Sequence, residues 1–157
     1  MSEIDSTDVK LLTALQANAK CKLANLAKMV QLSIPAVRER LEKLLKRGII
    51  KGHHTVLDHK QLDLDVTAFV RVGVRGSQNY SKLISMAESM VEIQELHSIT
   101  GDGSHLLKLR AENTGALERI LSRLQTCPGL EFTSTHIVLT TLKESSSIPL
   151  SHLSKKI

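Results

Sequence analysis

The apolar spacing of this chain is purely helical at first and becomes mixed further on, and that change points to two unlike folding units in sequence. Up to Gly48 apolar residues recur at helical intervals, and from Val66 onward strand-like alternation is interleaved with helical stretches. A 3.6-residue period and a 2-residue period cannot share one regular element. The chain is therefore read as α+β, with a helical head followed by a mixed sheet domain.

The head divides into three helices. A helical pattern opens near Asp5, with Ser6 and Thr7 as alternative caps and Asp8 favourable in the first turn. Val9, Leu12 and Leu15 supply its stripe, which ends near Asn18. Leu23, Leu26, Ala27 and Val30 follow the i, i+3, i+4, i+7 rule, and Gln31-Leu32-Ser33 breaks the pattern. Ser33 caps a third helix, with Pro35 in its first turn, where a missing N–H costs nothing. Val37, Leu41, Leu44 and Leu45 form its expected buried face, and Gly48 stops it. Three helices on one aliphatic core make a helix-turn-helix domain over residues 1–50. Ile49 and Ile50, then His54 to Leu57, read as extended chain, so 51–65 is assigned as a wing strand and linker.

Charge is concentrated on this head. From Lys20 to Lys51 nine Lys and Arg face only Glu39 and Glu42, a net +7 in a chain whose total is +5, leaving −2 elsewhere. A local basic patch of this kind is the footprint of a polyanion partner. On the third helix Leu41 and Leu44 face inward, which turns Pro35, Ala36, Glu39, Lys43 and Lys46 outward, with Arg38, Arg40 and Arg47 flanking. Recognition helices place their N-terminal residues on base edges and their flanks on phosphates. Ser33, Pro35, Ala36, Arg38, Glu39 and Arg40 are assigned to the base-proximal set, since Arg bridges guanine O6 and N7 and Glu accepts from cytosine N4. Lys43, Lys46, Arg47 and Lys51 are assigned to phosphates. The competing reading is a solvated charged face on a structural helix.

Beyond Val66 the order strand–helix–strand–strand–helix–strand gives a ferredoxin-like βαββαβ domain over 66–144. Its elements are read as Val66–Arg75, Tyr80–Met90 (Leu83, Ile84 and Ala87 inward), Ile93–Thr100, His105–Ala111, Thr114–Leu124 and Leu130–Leu142. Residues 145–157 form a Ser/Lys-rich tail with little periodic structure, whose Ile148 and two leucines could dock on a neighbour.

Several function classes are excluded or left without support. Phe69, Tyr80 and Phe132 are the whole aromatic content, too few for stacking on single strands. No apolar run spans a bilayer and the polar start MSEIDSTD is no signal peptide, so a cytoplasmic protein without membrane contact is expected. Cys21 and Cys127 read as reduced thiols. His53, His54 and His59 match no metal spacing, and Ser104-His105 is poor geometry for a nucleophile and its base. No metal, cofactor or catalysis is expected. The turn Thr100-Gly101-Asp102-Gly103-Ser104 reads either as a plain β-turn or as a small-zwitterion site with open N–H groups and the Asp102 carboxylate.

Ordered motifs then suggest a family. ID-x-x-D-x-x-L-L (Ile4–Leu12), L-A-x-x-V-x-L-S (Leu26–Ser33), R-G-I-I (Arg47–Ile50), V-L-D (Val56–Asp58), T-G-D (Thr100–Asp102), P-G (Pro128–Gly129) and T-x-I-V-L (Thr135–Leu139) together resemble the Lrp/AsnC, or feast/famine, regulators. The resemblance covers about residues 3–144 and implies a transcription regulator that binds double-stranded DNA. It further implies homodimers assembling to tetramers or octamers, and an amino-acid effector at the turn after the second sheet strand. That makes Thr100, Gly101, Asp102, Gly103 and Ser104 effector candidates, with His136 added from the final strand. Many family members carry an aromatic residue and then Asp where this chain has Gly103 and Ser104, which removes a carboxylate that could hold an ammonium group. His53 stands where an aromatic residue often follows the wing glycine. The alternative is a small-molecule-sensing or assembly protein whose basic head contacts a protein, which would give no mobility shift on DNA.

Overall fold

The computed structural model describes residues 4–153. They fall into two compact units, one holding the chain up to Val56 and again from Lys143, the other Leu57–Leu142. In the first, α1 (Ser6–Ala17), α2 (Leu23–Val30) and α3 (Ile34–Lys46) follow the expected order. Asp5 is the cap of α1: the Asp8 N–H donates to Asp5 Oδ1 at 2.8 Å and the Asp5 N–H returns to Asp8 Oδ2 at 3.3 Å. This reciprocal box satisfies two donors that a helix start leaves without partners. Ser33 Oγ accepts from the Ala36 N–H and caps α3.

Leu11, Leu26, Ala27 and Val37 form the core of this unit, with Leu15, Leu23, Val30 and Leu41 packed around them. Two expectations about the buried faces change. Leu11 is fully buried while Val9 is half-buried, and Leu45, expected inside, is exposed. One residue along a helix is about 100° around its axis, so with Leu44 buried its neighbour turns toward water. Residues 51–57 form no strand within the chain, and Val56 and Leu57 are exposed. Among the described residues the extended pattern there has no ladder partner, so the expected wing strand does not form.

The tail is less isolated than its composition suggests. The Gln16 side-chain amide donates to the Ile148 carbonyl at 3.1 Å and its oxygen accepts the Ile148 N–H at 2.6 Å. This two-point clamp returns the segment from Lys143 to α1, while residues 154–157 of the expected tail lie outside the described residues.

The second unit contains β1 (Val66–Val74), α4 (Tyr80–Ser89), β2 (Ile93–Ser98), β3 (His105–Ala111), α5 (Thr114–Gln125) and β4 (Leu130–Ile137), with short 3-10 turns at Lys60–Leu62 and Ser77–Asn79. The strands run antiparallel in the order β2-β3-β1-β4. Ala68, Val70 and Val72 of β1 and Leu107 and Leu109 of β3 are buried with Leu83, Leu117, Ile120 and Leu124 of the helices. Phe69, Arg71, Lys108 and His136 alternate onto the opposite face. Ile84, expected inward on α4, is exposed. The last strand stops at Ile137 rather than Leu142, because the final rung is Val138 N–H to Thr67 O (2.9 Å) and β1 begins only one residue earlier.

Candidate nucleic-acid interface and effector turn

The outer side of α3 presents Pro35, Arg38, Glu39, Lys43 and Lys46 to solvent, and Ala36 is half-buried at its flank. Ser33, Arg47 and Lys51 are exposed at the helix ends. Glu39 and Lys43 make an i, i+4 ion pair at 2.6 Å, and Lys43 holds the Glu39 carboxyl below its ordinary range. Glu39 therefore meets a partner already engaged along its own helix.

Arg40 departs from the expected base-proximal set. Its Nη1 lies 2.7 Å from Asp5 Oδ2 and 2.9 Å from Asp8 Oδ1, bridging the capping box of α1. Arg40 comes three residues after Val37 and one before Leu41, which places it on the flank of the buried face. From there a long side chain reaches the neighbouring helix. Desolvation raises the Asp5 pKa, but the Asp8 N–H and the Arg40 guanidinium outweigh it and hold the carboxyl below 3.8. The sequence carried a partial signal for this: Asp5 and Asp8 stand at capping-box spacing, and a flank arginine can reach such a pair.

The turn between β2 and β3 is tied to the end of β1. Ser104 N–H donates to Val72 O at 2.8 Å, and Ser104 Oγ accepts the Val74 N–H at 3.1 Å. The β1–β3 ladder ends at Val72–His105, so this hydroxyl supplies a partner for the next β1 N–H beyond the last pair. Gly103 has φ +101°, and a Cβ there would sit 2.9 Å from Val72 O. Both the backbone conformation and the close approach require glycine. Gly103 and Ser104 thus hold the turn in place. Gly101 has open space around it, and Asp102, 92% exposed, reaches to 3.9 Å from Arg71 Nη1.

Ser104 and His105 do meet, contrary to the expectation of poor geometry: Ser104 Oγ lies 2.9 Å from His105 Nδ1. His105 is buried edge-on to Tyr80 with ring centres 4.7 Å apart, and burial pushes its imidazole pKa down. His105 is buried and Ser104 half-buried, with its hydroxyl already bonded to β1. His136 is not brought to the turn. It pairs with Phe69, three residues along β1 from Val72, or roughly 10 Å at strand spacing. Among the described residues no group of three or more His, Cys, Asp or Glu is placed to hold a metal ion, and no helix is long and apolar enough to cross a membrane.

Residues 4–45 match the AsnC-type helix-turn-helix domain, and residues 67–148 match the Lrp/AsnC ligand binding domain. The chain belongs to the Lrp/AsnC family. This Lrp/AsnC protein is 33% identical over 147 residues to the HTH-type transcriptional regulator FL11 of Pyrococcus horikoshii, covering 94% of this chain and 97% of that one. It is 33% identical over 137 residues to regulatory protein AsnC of Escherichia coli K12, covering 87% and 90%. Among solved structures, a transcriptional regulator of Neisseria meningitidis in complex with L-methionine superposes with TM-score 0.89 at 26% identity, over 95% of this chain and 98% of that one. The feast or famine regulatory protein of M. tuberculosis complexed with L-methionine gives 0.86 at 26% identity, over 92% and 98%. The chain is thus a transcriptional regulator with a helix-turn-helix head and a ligand-binding domain of this family. The ligand-domain match ends at 148, the residue that Gln16 clamps.

Proposed function

We propose that this regulator binds double-stranded DNA sequence-specifically through α3, as a homodimer that assembles further, and that an amino acid or related small molecule tunes the assembly. One observation carries the DNA reading: the solvent face of α3 in a helix-turn-helix holds Pro35, Arg38, Glu39, Lys43 and Lys46 together. Ser33 and Ala36 at the helix start complete the base-proximal set, and Lys43, Lys46, Arg47 and Lys51 neutralise phosphates. A two-fold dimer would read half-sites about one helical turn apart.

The test is mobility shift and fluorescence anisotropy on the DNA upstream of its own gene, titrated with salt. Arg38→Ala is expected to cost about 1–3 kcal/mol and relax specificity, while Lys46→Ala weakens all duplexes alike and lowers the salt slope by about one. No shift at any salt concentration would leave the protein-contact alternative in its place.

The effector reading draws on the two relatives solved with L-methionine. Here Asp102 is the carboxylate open to an ammonium group, and the backbone at Thr100 and Gly101 is its neighbour. A thermal-shift screen of the twenty amino acids is expected to yield at least one stabilising ligand. At a hundred times its Kd such a ligand adds about 2.7 kcal/mol, a rise of several degrees that Asp102→Asn should remove. A flat screen on the unaltered protein would sink the amino-acid effector.

A further inference from the structure

Met29, Leu32 and Ile34 stand exposed in or around the turn that leads into α3. Ile34 is the first residue of α3 and remains 43% exposed, while Val37 and Leu44 form the buried face of that helix. Ile34 and Pro35 line an open cleft whose other walls are Arg38, Glu39 and Glu42. Glu39 and Glu42 are the two acidic residues of the otherwise basic stretch from Lys20 to Lys51, and both border this cleft. Glu42 repels phosphate and Glu39 is tied to Lys43, so this part of the helix favours base edges over the backbone. Its apolar wall also offers no hydrogen bond: proline has no N–H and isoleucine carries only carbon.

Thymine is the base that presents a methyl group in the major groove. We infer that Ile34 and Pro35 receive a thymine 5-methyl group, with Arg38 reading the neighbouring base pair, so that Ile34 is a specificity-determining residue. This rests on the DNA-binding reading above and adds the class of base the cleft selects. Covering an exposed isoleucine with a methyl group gains hydrophobic free energy without any new polar contact.

Deoxyuridine keeps thymine's pairing and lacks only the methyl group, which makes it the probe. Duplexes are selected from a random-sequence pool with the full-length protein, and each thymine of the best binder is then replaced singly by deoxyuridine. At least one replacement is expected to weaken binding about three- to fivefold, the worth of one buried methyl group. For Ile34→Ala, checked by melting temperature to be folded, that penalty is expected to vanish. Lys46→Ala should lower affinity on both duplexes and keep the penalty. Two outcomes overturn the inference alone: a flat deoxyuridine scan on an enriched duplex, or a penalty undiminished in Ile34→Ala. If no duplex is enriched at all, the DNA-binding reading falls and this inference with it.

Discussion

Leu11→Ala is expected to unfold the helix-turn-helix unit while leaving the sheet unit folded. Leu11 is 0% exposed and sits at the centre of a small cluster with Leu26, Ala27 and Val37. A Leu→Ala cavity costs about 2–5 kcal/mol, and a helical unit of this size has little more than that to lose. The core of the second unit is a separate cluster built on Val70, Val72, Leu107 and Leu109. Urea denaturation followed by circular dichroism should therefore split into two phases, and amide protection should be lost over α1–α3 alone. Leu45→Ala is the control: its side chain is exposed, and a change within about 0.5 kcal/mol is expected. If Leu11→Ala instead lowered protection equally in β1, β3 and β4, the two units would have to fold as one, and this account of their cores would be wrong.

Arg40→Ala is expected to lower stability while leaving the DNA affinity of the folded protein within about twofold. The Asp8 side chain is only 10% exposed, and without Arg40 its nearly buried carboxylate loses its cation. Stranding such a group costs about 1–3 kcal/mol. Asp5 is more exposed, at 44%, so solvent screening keeps its share small. The pH dependence identifies the mechanism. The folded-state pKa of Asp5 is depressed below 3.8, so its contribution is fully present above that value and is lost as pH falls through the folded-state pKa. Acidification from about pH 5 to 3 should therefore destabilise the wild type more steeply than Arg40→Ala, measured by urea midpoints at each pH. A tenfold affinity loss with an unchanged melting temperature would return Arg40 to the base-reading set.

Local rules carried a large share of the architecture. The bounds of α2 and β3 and the Ser33 cap of α3 follow from spacing and cap chemistry, because those depend on residues within one or two turns. The concentration of positive charge before Lys51 is also a property of the chain alone. Where the boundaries moved, a partner was missing: β4 ends with the start of β1, and 51–57 has nothing to pair with among the described residues. Alternation proposes a strand, but a ladder needs a neighbour.

The allocation of individual side chains was decided by tertiary structure. Arg38 and Arg40 are two residues apart in a basic helix, and composition treats them alike. Only the packing of α1 against the α3 flank hands Arg40 to Asp5 and Asp8, 35 and 32 positions away. Likewise Gly103 and Ser104 look like ordinary turn residues until Val72, some thirty positions earlier, closes on them. The Gln16–Ile148 clamp spans 132 positions. A periodic pattern reports which face of an element is apolar, whereas an ion pair or a turn contact depends on which distant atom arrives there. So the sequence by itself determined that this is a basic helical head followed by a βαββαβ domain. The fold decided which of its charges remain available to a partner and which hold the head together.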